Sequence, residues 1–88
     1  MLTVYSKANC AFCVQAKNYL KQKNIDFDEV RIDEDSKAKE FILGEGHRTV
    51  PQIYYNGQLF VEGGFQGLVK LTEEQIKEKL NVNSKKFA

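Results

Sequence analysis

Two cysteines, Cys10 and Cys13, are the whole thiol inventory of this 88-residue chain. Their spacing puts both sulfurs within one helical turn and inside the reach of a disulfide. A bridge closing so small a loop braces a fold little, because the entropy that a crosslink removes grows with loop length. A disulfide framework would use several pairs at wide spacings. The pair is therefore read as chemical: a dithiol that opens and closes. A thiol attacks a disulfide only as the thiolate, and at an ordinary pKa of about 8.5 only a few per cent is ionised at neutral pH. Something must favour the anion. Two plainer readings stay open on the residues alone. One is half of a zinc site, although zinc wants four ligands and His47 is the only further candidate. The other is a pair of buried structural cysteines.

The surrounding pattern says what positions the sulfurs. Leu2 to Tyr5 is a short apolar, β-branched and aromatic run, which predicts a buried strand. From Cys10 to about Asn24 the period changes: Cys13, Ala16 and Leu20 fall at i, i+3 and i+7, with Lys17, Lys21 and Lys23 on a polar side. Cys10 thus stands where a loop gives way to a helix. There the unpaired N–H groups and the positive end of the dipole favour an anion, and Lys7 adds positive potential from upstream. Cys13 heads the buried stripe and is the less accessible sulfur. The roles follow: Cys10 attacks and Cys13 resolves.

Phe27 to Ile32 predicts a second strand, and about Asp35 to Leu43 a second helix, with Ala38, Phe41 and Ile42 apolar and Gly44 past its end. The runs Val50 to Tyr55 and Gln58 to Val61 flank Asn56-Gly57, a strong hairpin signal because both residues tolerate positive φ. Pro51, the only proline, starts the first run, and on base rates its peptide bond is expected to be trans. Gly63-Gly64 opens one final helical stretch, in which Thr72 and Gln75 form a capping box and Leu68, Leu71, Ile76 and Leu80 face the core. Residues 1–80 are expected to form one domain, and 81–88 a frayed tail. The order βαβαββα, with the right-handed crossover that parallel strands need, predicts an α/β fold. Its four-stranded mixed sheet has helices on both faces, which is a thioredoxin-like arrangement.

Composition narrows the function. At 42% hydrophobic and 28% charged the chain is globular rather than disordered. Thirteen basic against twelve acidic side chains give a net charge of +1, which excludes strong steering toward nucleic acid or anionic lipid. No apolar run approaches the roughly 20 residues of a membrane span. Met1 to Tyr5 has no basic region followed by a long apolar stretch, so no signal peptide is expected. A monomer in a reducing compartment, the cytoplasm, is the expectation.

Three separated motifs then coincide with one family. Tyr5-Ser6-Lys7 ahead of Cys10-Ala11-Phe12-Cys13, then Arg48-Thr49-Val50-Pro51-Gln52, then Gly63-Gly64-Phe65 resemble the glutaredoxins, in that family's order and spacing from about Leu2 to Leu80. The resemblance implies a glutathione-dependent dithiol oxidoreductase acting on protein disulfides and glutathione mixed disulfides, with ribonucleotide reductase a candidate recipient. It implies a cis peptide at Val50–Pro51, overriding the trans expectation. It also implies that the Val50 backbone pairs with the cysteinyl part of bound glutathione, as an added strand would. Lys7 would meet the glycine carboxylate, and Phe12 would wall the groove in place of the family's usual Tyr. Thr49, Pro51, Gly64, Phe65 and Gln66 would complete the site, with no metal.

Two departures stand out. Ala11 replaces the proline of the family's commonest active site, Cys-Pro-Tyr-Cys, and small residues there occur in members that share an iron–sulfur cluster. Gln66 stands where the family usually has an Asp that contacts the γ-glutamyl ammonium, and it offers only a neutral carbonyl. Gly64-Phe65 also resembles phage-type glutaredoxins and the small redoxins that feed ribonucleotide reductase. Two alternatives follow: a redoxin recharged by thioredoxin reductase, and a carrier in which two chains hold a [2Fe–2S] cluster through Cys10 and glutathione.

Overall fold

A central strand flanked on both sides sets the architecture. The computed structural model describes residues 1–85, with side chains through Leu80. β1 (Leu2–Ser6) runs parallel to β2 (Phe27–Arg31) and antiparallel to β3 (Gln52–Tyr55), and β4 (Gln58–Leu59) pairs antiparallel at the edge. The sheet is four-stranded and mixed, in the order β2-β1-β3-β4. α1 (Ala11–Gln22) makes the crossover between the parallel strands, and α2 (Ser36–Gly44) leads from β2 to β3. α3 (Phe65–Val69) and α4 (Glu73–Lys85) follow the hairpin.

Alternation along β1 sorts two cores. Leu2 and Val4, in register with Tyr55 and Ile53 of β3, pack with Ala16 and Leu20 of α1, Leu68 of α3 and Ile76 of α4. Each leucine or isoleucine removed from water there contributes about 1.5–3 kcal/mol. Tyr5 points the other way, where its ring meets Tyr54 edge-on at 5.5 Å and Phe41 of α2 at 5.7 Å. The helices thus lie on both faces, as the element order required.

Local chemistry fixes the helix ends. Asp35 caps α2 by accepting the Lys37 and Ala38 N–H groups at 3.0 and 3.1 Å. Past the end of α1, Asn24 adopts φ 57° and the Ile25 N–H reaches back to the Leu20 carbonyl at 2.9 Å. The hairpin turns at Asn56-Gly57, with φ 52° and 79°. Its strands are shorter than expected. β3 begins only after Pro51, which has no N–H to donate, and β4 stops at Leu59 because Phe60 and Val61 both turn inward instead of alternating.

The final helical stretch is two helices, not one. Thr72 Oγ1 accepts the Gln75 N–H at 3.1 Å, and Gln75 Oε1 accepts the Thr72 N–H at 2.9 Å. The capping box therefore withdraws the Thr72 N–H from the helical ladder and starts a new helix. α4 then runs through Lys85. Residues 86–88 of the expected tail lie outside the described residues.

Gly67 sits at the tightest corner of this half. A Cβ there would run into the carbonyl oxygen of Glu62, which is backbone and cannot swing aside. Gly67→Ala should therefore overpack the turn into α3, at about 1–3 kcal/mol. In a domain of this size each kcal/mol lowers the melting temperature by about 4–8 °C. Thermal denaturation followed by circular dichroism measures the loss, and an unchanged midpoint would show that the turn yields.

Candidate active site

The loop from β1 ends at Asn9, whose φ of 58° turns the chain, and Cys10 follows in extended conformation at φ −115° and ψ 102°. That is the geometry of a helix N-cap. The Cys10 sulfur does the capping: Sγ accepts the Cys13 N–H at 3.2 Å. The two cysteines are joined as a disulfide, with Cα atoms 5.2 Å apart. When the bridge opens, the unpaired N–H groups of the first turn still face the Cys10 sulfur and favour its anion. No acidic residue in that turn opposes the charge. Cys10 is partly exposed, whereas Cys13 is 1% exposed beneath it.

A second chain segment borders the sulfur. Cys10 Sγ lies 3.7 Å from the Val50 carbonyl oxygen, and the Val50–Pro51 peptide is cis. Gln52 Nε2 holds the preceding turn by donating to the Thr49 carbonyl at 2.9 Å. Gly64, at φ 58°, starts α3 so close by that a Cβ would strike the Pro51 carbonyl oxygen. Only glycine combines that φ with that approach. Below the loop, the Tyr54 hydroxyl donates to Glu45 at 3.3 Å, which leaves its oxygen to accept from His47 Nε2 at 2.8 Å. Burial, then the Glu45 charge, pushes the Tyr54 phenol up, so it keeps the proton it donates.

The loop ahead of Cys10 is tied to the end of β2. Asp33 accepts the Ala8 N–H at 3.2 Å and grips the Arg31 guanidinium through two bonds of 2.8 and 2.7 Å. The Arg31 bond first, and the Ala8 bond after it, hold the Asp33 carboxyl at a pKa of about 2. The buried Ser6 hydroxyl donates to Glu29 at 2.6 Å, and Glu29 also pairs with Lys17 at 2.8 Å. Lys17 and then Ser6 lower the Glu29 carboxyl. Among the described residues no buried side-chain nitrogen or oxygen lacks a partner. Nor do three or more His, Cys, Asp or Glu gather there in a way that could hold a metal ion.

Two clefts meet at this edge. The larger, of 640 Å³, brings together Phe12, Thr49, Val50, Pro51, Gly64, Phe65 and Gln66. The Phe12 and Phe65 rings stack 6.0 Å apart along it. The smaller, of 240 Å³, lies beyond Thr49 and Val50 and contains Lys7. The expected residues are thus divided, with Thr49 and Val50 lining both clefts. The charges were not foreseen. Glu45 and Glu62 line the larger cleft, while Lys39 and Arg48 join Lys7 in the smaller. Glu45, Glu62 and Arg48 sit in irregular segments whose course no periodicity fixes. The one available signal was that Glu62 directly precedes Gly63-Gly64.

Known proteins resemble this chain in sequence and in fold. Residues 2–60 match the family model for glutaredoxin. The chain is 32% identical to glutaredoxin 1 of Rickettsia conorii over 88 residues, covering 97% of this chain and 84% of that protein. It is 43% identical to the glutaredoxin-like protein NrdH of Lactococcus lactis subsp. lactis over 53 residues, 60% of this chain and 74% of that one. A probable glutaredoxin of Synechocystis sp. is 42% identical over 57 residues; that match takes in 62% of this chain and about half, 52%, of the relative. The crystal structure of a buckwheat glutaredoxin–glutathione complex has a TM-score of 0.71 at 24% identity, covering 91% of this chain and 76% of that one, which shows the fold. No helix among the described residues is long and apolar enough to cross a membrane. With its capped Cys10–Cys13 pair on a thioredoxin-like sheet, the chain belongs to the glutaredoxin family of thiol-disulfide oxidoreductases.

Proposed function

We propose that the chain is a dithiol glutaredoxin that draws electrons from glutathione and delivers them to protein disulfides and glutathione mixed disulfides. The observation that carries this reading is the opposite charge of the two clefts on either side of Val50. Glutathione laid along Val50 presents a lone carboxylate at its glycine end and an ammonium beside a carboxylate at its γ-glutamyl end. Lys7 receives the glycine carboxylate. At the other end the N–H groups of Phe65 and Gln66 take the carboxylate. The ammonium faces Glu45 and Glu62, which replace the charge that Gln66 lacks. Phe12 and Phe65 wall the cleft, with Thr49, Pro51 and Gly64 shaping its floor.

The chemistry is a pair of exchanges. The Cys10 thiolate attacks one sulfur of a substrate disulfide, and the other sulfur leaves as a thiolate that takes a proton. Cys13, deprotonated as it reacts, then attacks Cys10 Sγ and releases the second substrate thiol. The substrate gains two electrons and two protons, and Cys10–Cys13 becomes the disulfide. Two glutathione molecules reverse that change: the first forms a mixed disulfide on Cys10, and the second removes it as glutathione disulfide. A second reading has Gln66 in its favour, as well as the likeness to a protein named NrdH. In it thioredoxin reductase recharges Cys10–Cys13, and ribonucleotide reductase is the recipient.

Cys10→Ser should abolish all thiol transfer. Cys13→Ser should keep turnover of glutathionylated peptide, because glutathione replaces the resolving thiol, yet lose most reduction of protein disulfides. Coupled assays with NADPH, glutathione and glutathione reductase read both activities. Equal loss in the two variants on glutathionylated peptide would overturn the assignment of roles.

Glu62→Gln tests the electron source. An exposed ion pair is worth at most about 1 kcal/mol, or several-fold in affinity. The Michaelis constant for glutathione should therefore rise several-fold, with turnover nearly constant and the effect fading at high salt. If glutathione kinetics stay unmoved while thioredoxin reductase reduces the wild type efficiently, the second reading replaces the first.

A further inference from the structure

We infer that the smaller cleft is a docking groove for an acidic, partly apolar segment of a disulfide-bearing protein, read by Lys39 and Arg48. The inference rests on the oxidoreductase reading above and on the direction it gives to a bound chain. Lys7, Lys39 and Arg48 converge on the groove. Among the described residues, the ion pairs formed elsewhere use none of these three cations. Asp33 also lines the groove, but its charge is already engaged by Arg31 and the Ala8 N–H. The local charge is thus strongly positive in a chain whose net charge is only +1. A single glycine carboxylate brings one negative charge to a groove that holds three cations.

The rest of the groove fits a peptide better than an isolated ion. Its apolar lining is Ile32, Ile42, Leu43 and Val50, and Leu43 leaves 54% of its surface in solvent. Lys39 and Leu43 lie one turn apart on the same face of α2, so a cation and an apolar anchor stand side by side. Thr49 and Val50 line both clefts. A substrate chain whose cysteine reaches Cys10 by pairing with Val50 therefore runs on into the groove, at about 3.3 Å per residue. Glutathione ends one residue beyond its cysteine on that side. A protein chain continues, and meets Lys39, Arg48 and Leu43. The groove would then discriminate among protein substrates, favouring those with carboxylates and an aliphatic side chain just after the reactive cysteine.

Single-turnover reduction tests this without glutathione. The reduced protein is mixed with peptides that carry one cysteine as its thiopyridyl disulfide, followed by Glu-Leu-Glu, Ser-Leu-Ser or Lys-Leu-Lys. The Cys10 thiolate attacks the peptide sulfur and thiopyridone leaves, which absorbance records. Cys13 then displaces the peptide thiol, so the dithiol supplies both electrons. The readout is the ratio of rate constants, acidic over neutral, taken within each protein so that a general loss of activity cancels. At low salt the ratio should be about five- to tenfold, and it should shrink as salt is added. Lys39→Ser should lower the ratio, and the double variant Lys39→Glu with Arg48→Glu should bring it below one. A wild-type ratio near one would overturn the groove, as would an acidic preference that survives in the double variant or appears only when the charges precede the cysteine. If no peptide is reduced at all, the oxidoreductase reading falls, and the groove with it.

Discussion

Cys10 Sγ accepts the Cys13 N–H at 3.2 Å, in the place where a helix ordinarily sets a Ser, Thr, Asp or Asn oxygen. A sulfur there serves two ends. As a cap it closes the first turn of α1, and as a thiolate it sits where that turn's free N–H groups are most positive. The arrangement also supports the proposed roles, because that same turn buries Cys13 against the core while Cys10 stays at the rim. In the proposed mechanism, reactivity and helix initiation thus depend on the same contact.

The remainder of the fold holds other groups at fixed places around that sulfur. The central position of β1 delivers Lys7 and Cys10 to the same end of the sheet at which β3 begins, directly after Pro51. Asp33 fixes the loop between them through the Ala8 N–H. Tyr54 anchors the opposite loop through Glu45 and His47. Gly64, free of a side chain, lets the start of α3 approach the Pro51 carbonyl and closes the larger cleft. Each anchor is buried or charge-assisted, so the loops around the sulfur are tied to the sheet and its helices.

Much of this was legible in the sequence, for identifiable reasons. The Cys10-Ala11-Phe12-Cys13 spacing, the Asn56-Gly57 turn and the alternating Leu2 and Val4 each report a local constraint, and local constraints are what a sequence records most directly. The division of the last helix at Thr72 was half legible: the capping box was recognised, but not that its bonds interrupt a ladder. The acidic and basic linings of the two clefts were not legible. They depend on where the loops carrying Glu45, Arg48 and Glu62 pass in space, and Lys39 reads as an ordinary polar position of α2 until Leu43 and Ile42 are seen beside it.

The central claim is that the first turn of α1 stabilises charge on Cys10 and not on Cys13. It is tested most directly by titrating thiolate absorbance in the reduced protein, in the wild type and in Cys10→Ser. The account predicts that one thiol of the wild type ionises below neutral pH, well under the ordinary value of about 8.5, and that this step vanishes in Cys10→Ser. A low-pH ionisation that persists in Cys10→Ser, or its absence from the wild type, would contradict the account.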